Sequence, residues 1–275
     1  MAWFIDLGAN WANTLRLYET VRTSSRPRWN VVAFEASPLF QPFVRDYCAF
    51  LNGERNDEPE NCLPRSGSTS HLLKYAHKYG CPSHPITMMR ECMWKCLSIH
   101  LNRLAPDPAL NSSDYIDRAL RNAFVPPTEK DRYTLVPAAA GDRNEWTTIY
   151  EDPKQLIRGG ALHYKVTQMH AKRVRSVDVA AWLLQLPPDA HVFLKIDIEG
   201  AEHDLVRRMD LLESHRRIAH LSIECHGGGK RCIETMRRIR SWNVTIVGEK
   251  KHHGMDAPSR THITQPVSPD CQCKK

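Results

Sequence analysis

The sequence predicts a doubly wound α/β fold built on a mostly parallel sheet. Short apolar, β-rich runs alternate with segments of helical periodicity, the pattern of a sheet covered by helices on both sides. The rhythm is broken once and then resumes. The length of 275 residues suits one large α/β domain or two small ones.

Trp3 to Leu7 reads as a buried strand ended by Gly8, and Ala12 to Val21 as a helix. Val31 to Phe34 is β-rich and ends at Glu35. Phe40, Phe43, Val44 and Tyr47 mark one helical face within 38–52. Residues 53–130 interrupt the pattern. Their first part is rich in Asn, Pro, Gly and Ser, and helices are expected at His71–Tyr79, Thr87–Leu104 and Ser113–Phe124. This segment reads as a helical insertion that caps the carboxyl end of the sheet and helps to choose the substrate. Beyond it, Tyr133–Val136, His191–Asp197, Ile218–Glu224 and Val244–Val247 read as strands. Val177–Leu186, Ala201–Leu212 and Cys232–Trp242 read as helices, the first stopped by Pro187-Pro188. His262–Thr264 is the expected antiparallel partner of the last strand. Residues 1–265 are taken as one domain and 266–275 as a disordered tail. The abrupt entry into a core strand suits a fragment or a catalytic core cut from a longer chain.

Composition narrows the function. Hydrophobic residues make up 41% and charged residues 25%, ordinary for a globular domain. No apolar run approaches the ~18 residues of a membrane span. The net charge of +7 comes from clusters such as Lys172-Arg173-Val174-Arg175, Arg216-Arg217 and Arg237-Arg238. No aromatic-rich nucleic-acid signature accompanies them, so they read as solvated helix faces and loop ends. None of the nine cysteines has the CxxC spacing of a zinc site. Cys62, Cys81, Cys92 and Cys96 share one segment, where disulfides would suit a secretory compartment and buried thiols a reducing one.

Three stretches carry chemistry. In Phe4-Ile5-Asp6-Leu7-Gly8-Ala9-Asn10 an apolar strand runs into an acid, a glycine and a helix. Gly8 permits positive φ and close approach of a ligand, and the helix offers free N–H groups to an anion. Glu35, at the end of the next strand, can accept hydrogen bonds from a ribose diol. Lys195 and Asp197 of Leu194-Lys195-Ile196-Asp197-Ile198-Glu199-Gly200-Ala201-Glu202 share a strand face. An unpaired lysine in so apolar a run is costly, so a carboxylate partner is expected, either Asp6 or Glu224.

With these residues in place, the chain resembles the FkbM family of methyltransferases. The resemblance lies in Phe4–Leu15, Val32–Pro38, Ala139–Asp142 and Lys195–Glu202, the last being the most diagnostic; Val177–Ala181 and Ile223-Glu224-Cys225-His226 also fit. It covers roughly 1–50 and 130–250. It implies a Rossmann-like sheet of seven strands, S-adenosylmethionine as cofactor, and methyl transfer mainly to oxygen on sugars and related metabolites. The expected partner is therefore a small-molecule or glycan hydroxyl. The resemblance further implies that Asp6, Gly8 and Asn10 line the methionine end, Glu35 holds the ribose and Asp142 lies near the adenine. One departure stands out: the family usually has glycine two residues after the Asn, and this chain has Ala12.

Lys195, Asp197, Glu199 and His226 are the candidate catalytic residues, with Asp197 and His226 as candidate bases. Asp197 and Glu199 would also suit a divalent cation, but the sequence identifies no third ligand and no metal site is assigned. A dinucleotide-dependent oxidoreductase shares the strand–turn–helix and the acid on strand two. The turn Gly-Ala-Asn-Trp-Ala-Asn, however, lacks the second and third glycines that admit a pyrophosphate. A binding module on the same scaffold is the nonenzymatic alternative.

Overall fold

The computed structural model describes residues 1–10, 12, 15, 28–59, 106–128, 130–151, 170–227 and 229–251. Among the described residues the central sheet has six strands, all parallel: β1 (Ala2–Leu7), β2 (Trp29–Phe34), β3 (Arg132–Val136), β7 (His191–Ile196), β8 (Ile218–Cys225) and β9 (Thr245–Lys251). Their order is β3-β2-β1-β7-β8-β9. The chain steps outward one way from β1 to β2 and β3, then returns to β1's other side at β7. The strand order therefore reverses between β1 and β7, which opens a crevice at their carboxyl ends where ligands bind in open α/β sheets.

Six strands are one fewer than expected, and the candidate seventh, His262–Thr264, lies outside the described residues. So do the helices expected at His71–Tyr79 and Thr87–Leu104, the tail 266–275 and most of Ala12–Val21. Of that last helix, Leu15 is helical and Ala12 sits in a turn before it.

Strand parity divides the core into two layers. Trp3, Ile5 and Leu7 of β1, Val32 and Phe34 of β2, and Val192, Leu194 and Ile196 of β7 face one layer. Phe4, Val31, Ala33 and Phe193 face the other. Helix α1 (Gln41–Asn52) covers the second layer with Phe43, Val44 and Tyr47, and ends at Gly53 in the left-handed conformation. The first layer is covered by α2 (Ser113–Asn122), α3 (Val179–Leu183), α4 (Glu202–Leu211) and α5 (Gly229–Arg240). Each large apolar side chain buried in this way contributes roughly 1.5–3 kcal/mol.

Two differences from the sequence expectation have physical causes. The segment expected as helix from Val177 begins as strand β6 (His170–Asp178), which pairs with β4 (Ala139–Gly141) and β5 (Glu145–Glu151) in a small second sheet. The helix starts only at Val179, because the Asp178 carboxylate caps it by accepting the Ala181 N–H at 2.9 Å. Likewise α2, the last helix of the expected insertion, is tied into the sheet layer. Its Ile116 and Ala119 join the first core layer, and the Trp3 indole donates to the Ala123 carbonyl at 3.1 Å.

Candidate active site

Asp6 and Lys195 are register partners on neighbouring strands β1 and β7. Parity places both on the face shared with Phe4 and Phe193, so their side chains must meet. Lys195 Nζ lies 2.9 Å from Asp6 Oδ1, 3.5 Å from Asp197 Oδ2 and 3.1 Å from the Gly8 carbonyl oxygen. Asp6 is fully buried. Burial alone pulls the Lys195 ammonium down, but Asp6 and Asp197 outweigh it and hold its pKa above the usual lysine value. Of the two expected partners, Asp6 is the one the register selects. Glu224 faces His226 instead.

Gly8 has φ +87°, and a Cβ there would sit 1.9 Å from the Asp197 carbonyl oxygen. The turn after β1 thus passes directly against the loop after β7, with the Asp197 N–H donating to Leu7 O at 3.0 Å. This close approach requires glycine whether or not a ligand is present, a reason the sequence did not reveal. Asn10 follows with φ +50°, and Ala12 with φ +56°. Glycine adopts that conformation freely, whereas alanine there is strained by roughly 1–2 kcal/mol. The residue that departs from the family pattern is therefore a local strain.

Glu35, buried at the end of β2, reaches across to the first turn. Its Oε2 accepts the Asn10 N–H at 2.6 Å and its Oε1 the Ser37 N–H at 2.7 Å. The first two motifs are in this way locked together through one carboxylate. Asp142 is not drawn into this group: it pairs with its neighbour Arg143 at 3.2 Å and makes no hydrogen bond or ion pair with Asp6, Gly8, Asn10 or Glu35.

The loop after β7 is shaped by Glu199 (φ +52°) and Gly200 (φ +106°). Glu202, fully buried at the start of α4, bridges this loop to the end of β8. It accepts the Gly200 N–H at 2.7 Å and the His226 N–H at 2.5 Å. Sequence reasoning gave Glu202 no role, since an acid in a helix's first turn reads as an ordinary terminus; only its burial marks it.

His226 stands among four carboxylates. Its Nε2 is 3.5 Å from Glu224, 3.7 Å from Glu199 and 3.8 Å from Asp197, and its Nδ1 is 3.5 Å from Glu202. Burial would lower the imidazole, but the Glu202 and Glu224 carboxylates beside it and the charge of Glu199 overcome it and push it up to about 10. Burial also raises the Glu199 carboxyl, to about 7, against the opposing pull of His226. In this setting His226 carries its proton at neutral pH, which makes it a poor proton acceptor. Of the two candidate bases, the imidazole is pushed toward its cationic form by the carboxylates around it. Asp197, Glu199 and His226 also place one ligand atom each within 4.8 Å of the others, supplying the third group that the sequence lacked for a cation.

A second cluster, His203 with Cys225 and Cys232, is already satisfied. The two cysteines are joined by a disulfide across the turn that holds His226, and both His203 nitrogens have partners, Thr235 Oγ1 and the His226 carbonyl, at 2.8 Å. Cys48 is a buried free thiol, and burial pushes it up to about 12. The cysteines at 62, 81, 92 and 96 lie outside the described residues. A cavity of about 420 Å³ lies elsewhere, between α1, α2 and β3, and none of the candidate site residues lines it.

A family model for the methyltransferase FkbM domain matches residues 6–253, from Asp6 at the end of β1 through β2, β7 and β8. No curated protein and no solved structure matches the chain. The match spans nearly the whole sequence, and the chain belongs to the FkbM methyltransferase family.

Proposed function

We infer that the protein uses S-adenosylmethionine to methylate a hydroxyl group of a sugar, glycan or related metabolite. The observation that carries this reading is the pair of residue groups at the carboxyl ends of the strands flanking the β1/β7 switch point. On one side lie the Gly8 turn and Glu35; on the other, the cluster around His226. The Gly8–Asn10 turn and Asp6 would face the methionine end, Glu35 the ribose diol, and Asp142 the adenine side.

The reaction is a displacement at the sulfonium methyl. The acceptor oxygen forms the new C–O bond as the C–S bond breaks, and the electron pair leaves on sulfur, which becomes a neutral thioether. The hydroxyl proton must also depart, and the carboxylates around His226 are the groups placed to receive it. The protein's share is alignment of the two reactants and exclusion of water.

Calorimetry with S-adenosylhomocysteine and NAD tests the cofactor, and incubation with S-adenosylmethionine and sugar acceptors, read by mass spectrometry for an added methyl, tests the reaction. S-adenosylhomocysteine should bind and raise the melting temperature by linkage. Binding of NAD in its place, or of neither, would overturn the reading.

A further inference from the structure

We propose that Asp197, Glu199 and His226 form a divalent-cation site at the acceptor side of the crevice. The inference rests on the functional reading above for its place in catalysis, but its evidence is separate. The three ligands come from two different elements: the loop after β7 and the end of β8. Their donor atoms face one another, with His226 Nε2 at 3.8 Å from Asp197 Oδ1 and 3.7 Å from Glu199 Oε2. Two metal bonds of about 2.1 Å at the right angle of an octahedral ion place their donors about 3.0 Å apart, so the two histidine separations must close by under about 1 Å, and the third pair already lies within 4.8 Å.

The surroundings hold the ligands in position. The other Asp197 oxygen, Oδ2, is turned to Lys195 at 3.5 Å, which orients Oδ1 toward the imidazole. Glu202 ties both ligand-bearing backbones together through Gly200 and His226. The disulfide between Cys225 and Cys232 closes the turn on which His226 sits. Such outer contacts fix ligand direction in metal sites. Charge points the same way. Asp197, Glu199, Glu202 and Glu224 all lie within 4 Å of one imidazole, and a divalent ion is the natural counter-charge for that many carboxylates.

Two carboxylates and one imidazole suit Mn²⁺ or another ion of intermediate softness, with water and substrate in the open positions. A hydroxyl bound there would ionise more readily, its proton passing to Glu224, 3.5 Å from His226 Nε2 and outside the ligand set. Binding would displace the proton from His226 Nε2 to solvent, and the cation would take over the counter-charge that the imidazolium supplies to these carboxylates.

The test is titration of the untagged, full-length protein with Mn²⁺, the free ion being read by electron paramagnetic resonance. One equivalent should bind. Asp197→Asn, Glu199→Gln and His226→Ala should each weaken binding more than tenfold, while Glu213→Gln, on an exposed turn, should not. Circular dichroism and the S-adenosylhomocysteine melting shift, measured on every variant, separate a lost site from a lost fold. Failure of the wild type to bind Mn²⁺, or binding that survives the triple variant, overturns the proposal. A cofactor response without ion binding sinks the cation site alone. Ion binding without any cofactor response sinks the methyltransferase reading and leaves the cation site standing.

Discussion

The two sides of the crevice solve the problem of a buried carboxylate in opposite ways. On the β1/β2 side, Glu35 is satisfied by backbone N–H groups from Asn10 and Ser37. Those donors are fixed dipoles, and the result is a rigid acceptor suited to a neutral diol. On the β7/β8 side Glu202 is held by backbone N–H groups in the same way, but Asp197, Glu199 and Glu224 crowd the His226 imidazole, and side-chain charge supplies their balance. Charge there can change with a proton or an ion. The Asp6–Lys195 pair and the Gly8–Asp197 contact join the two regions.

The joint is where the comparison breaks most easily. Gly8→Ala places a methyl 1.9 Å from the Asp197 carbonyl at φ +87°. Overpacking and left-handed strain together should cost about 4 kcal/mol, read by urea denaturation. A loss below about 1 kcal/mol would mean that the two loops move apart freely and are not one site.

Lys195→Met should cost about 3 kcal/mol, because it strands the buried Asp6 charge; Asp6→Asn with Lys195→Met should recover part of it. The ammonium's pKa is raised on folding, so its contribution is fully present below the ordinary lysine value of about 10.4 and is lost as pH rises through the higher folded value. The stability gap between wild type and variant should therefore stay flat across neutral pH and shrink only in strong alkali. A gap that closes below pH 9 would show that the pair is not what holds the joint.

Glu35→Ala sharpens the distinction between the sides. It should weaken S-adenosylhomocysteine binding by about 2 kcal/mol, seen by calorimetry, while Mn²⁺ binding stays as it was. Equal losses of both would show that the two regions do not act separately.

The smallest effect belongs to Ala12→Gly. At φ +56° alanine is strained, and glycine should relieve it. A gain of about 1 kcal/mol in stability, with cofactor affinity no weaker, is expected from chemical denaturation and calorimetry. A marked loss of affinity would show that the turn is built around the methyl of Ala12.

The sequence alone determined the alternation of strands and helices, the acid-and-glycine ends of β1 and β7, the acid at the end of β2, and the need for a carboxylate beside Lys195. These are legible because periodicity, turn residues and the cost of an unpaired buried charge act within a few residues of the chain. Only the tertiary structure decided that Asp6 and not Glu224 pairs with Lys195, since strand register sets that choice across nearly the whole sequence. It also placed four carboxylates around His226 and bridged two loops through Glu202. Ala12 looked like a helix start because alanine favours helices; its positive φ comes from the turn that carries Asn10 to Glu35. Residues 170–178 became a strand because β4 and β5 supply partners that no local pattern announces. A residue's neighbours along the chain set its conformational preference, but its charge state and contacts depend on which distant segments the fold packs beside it.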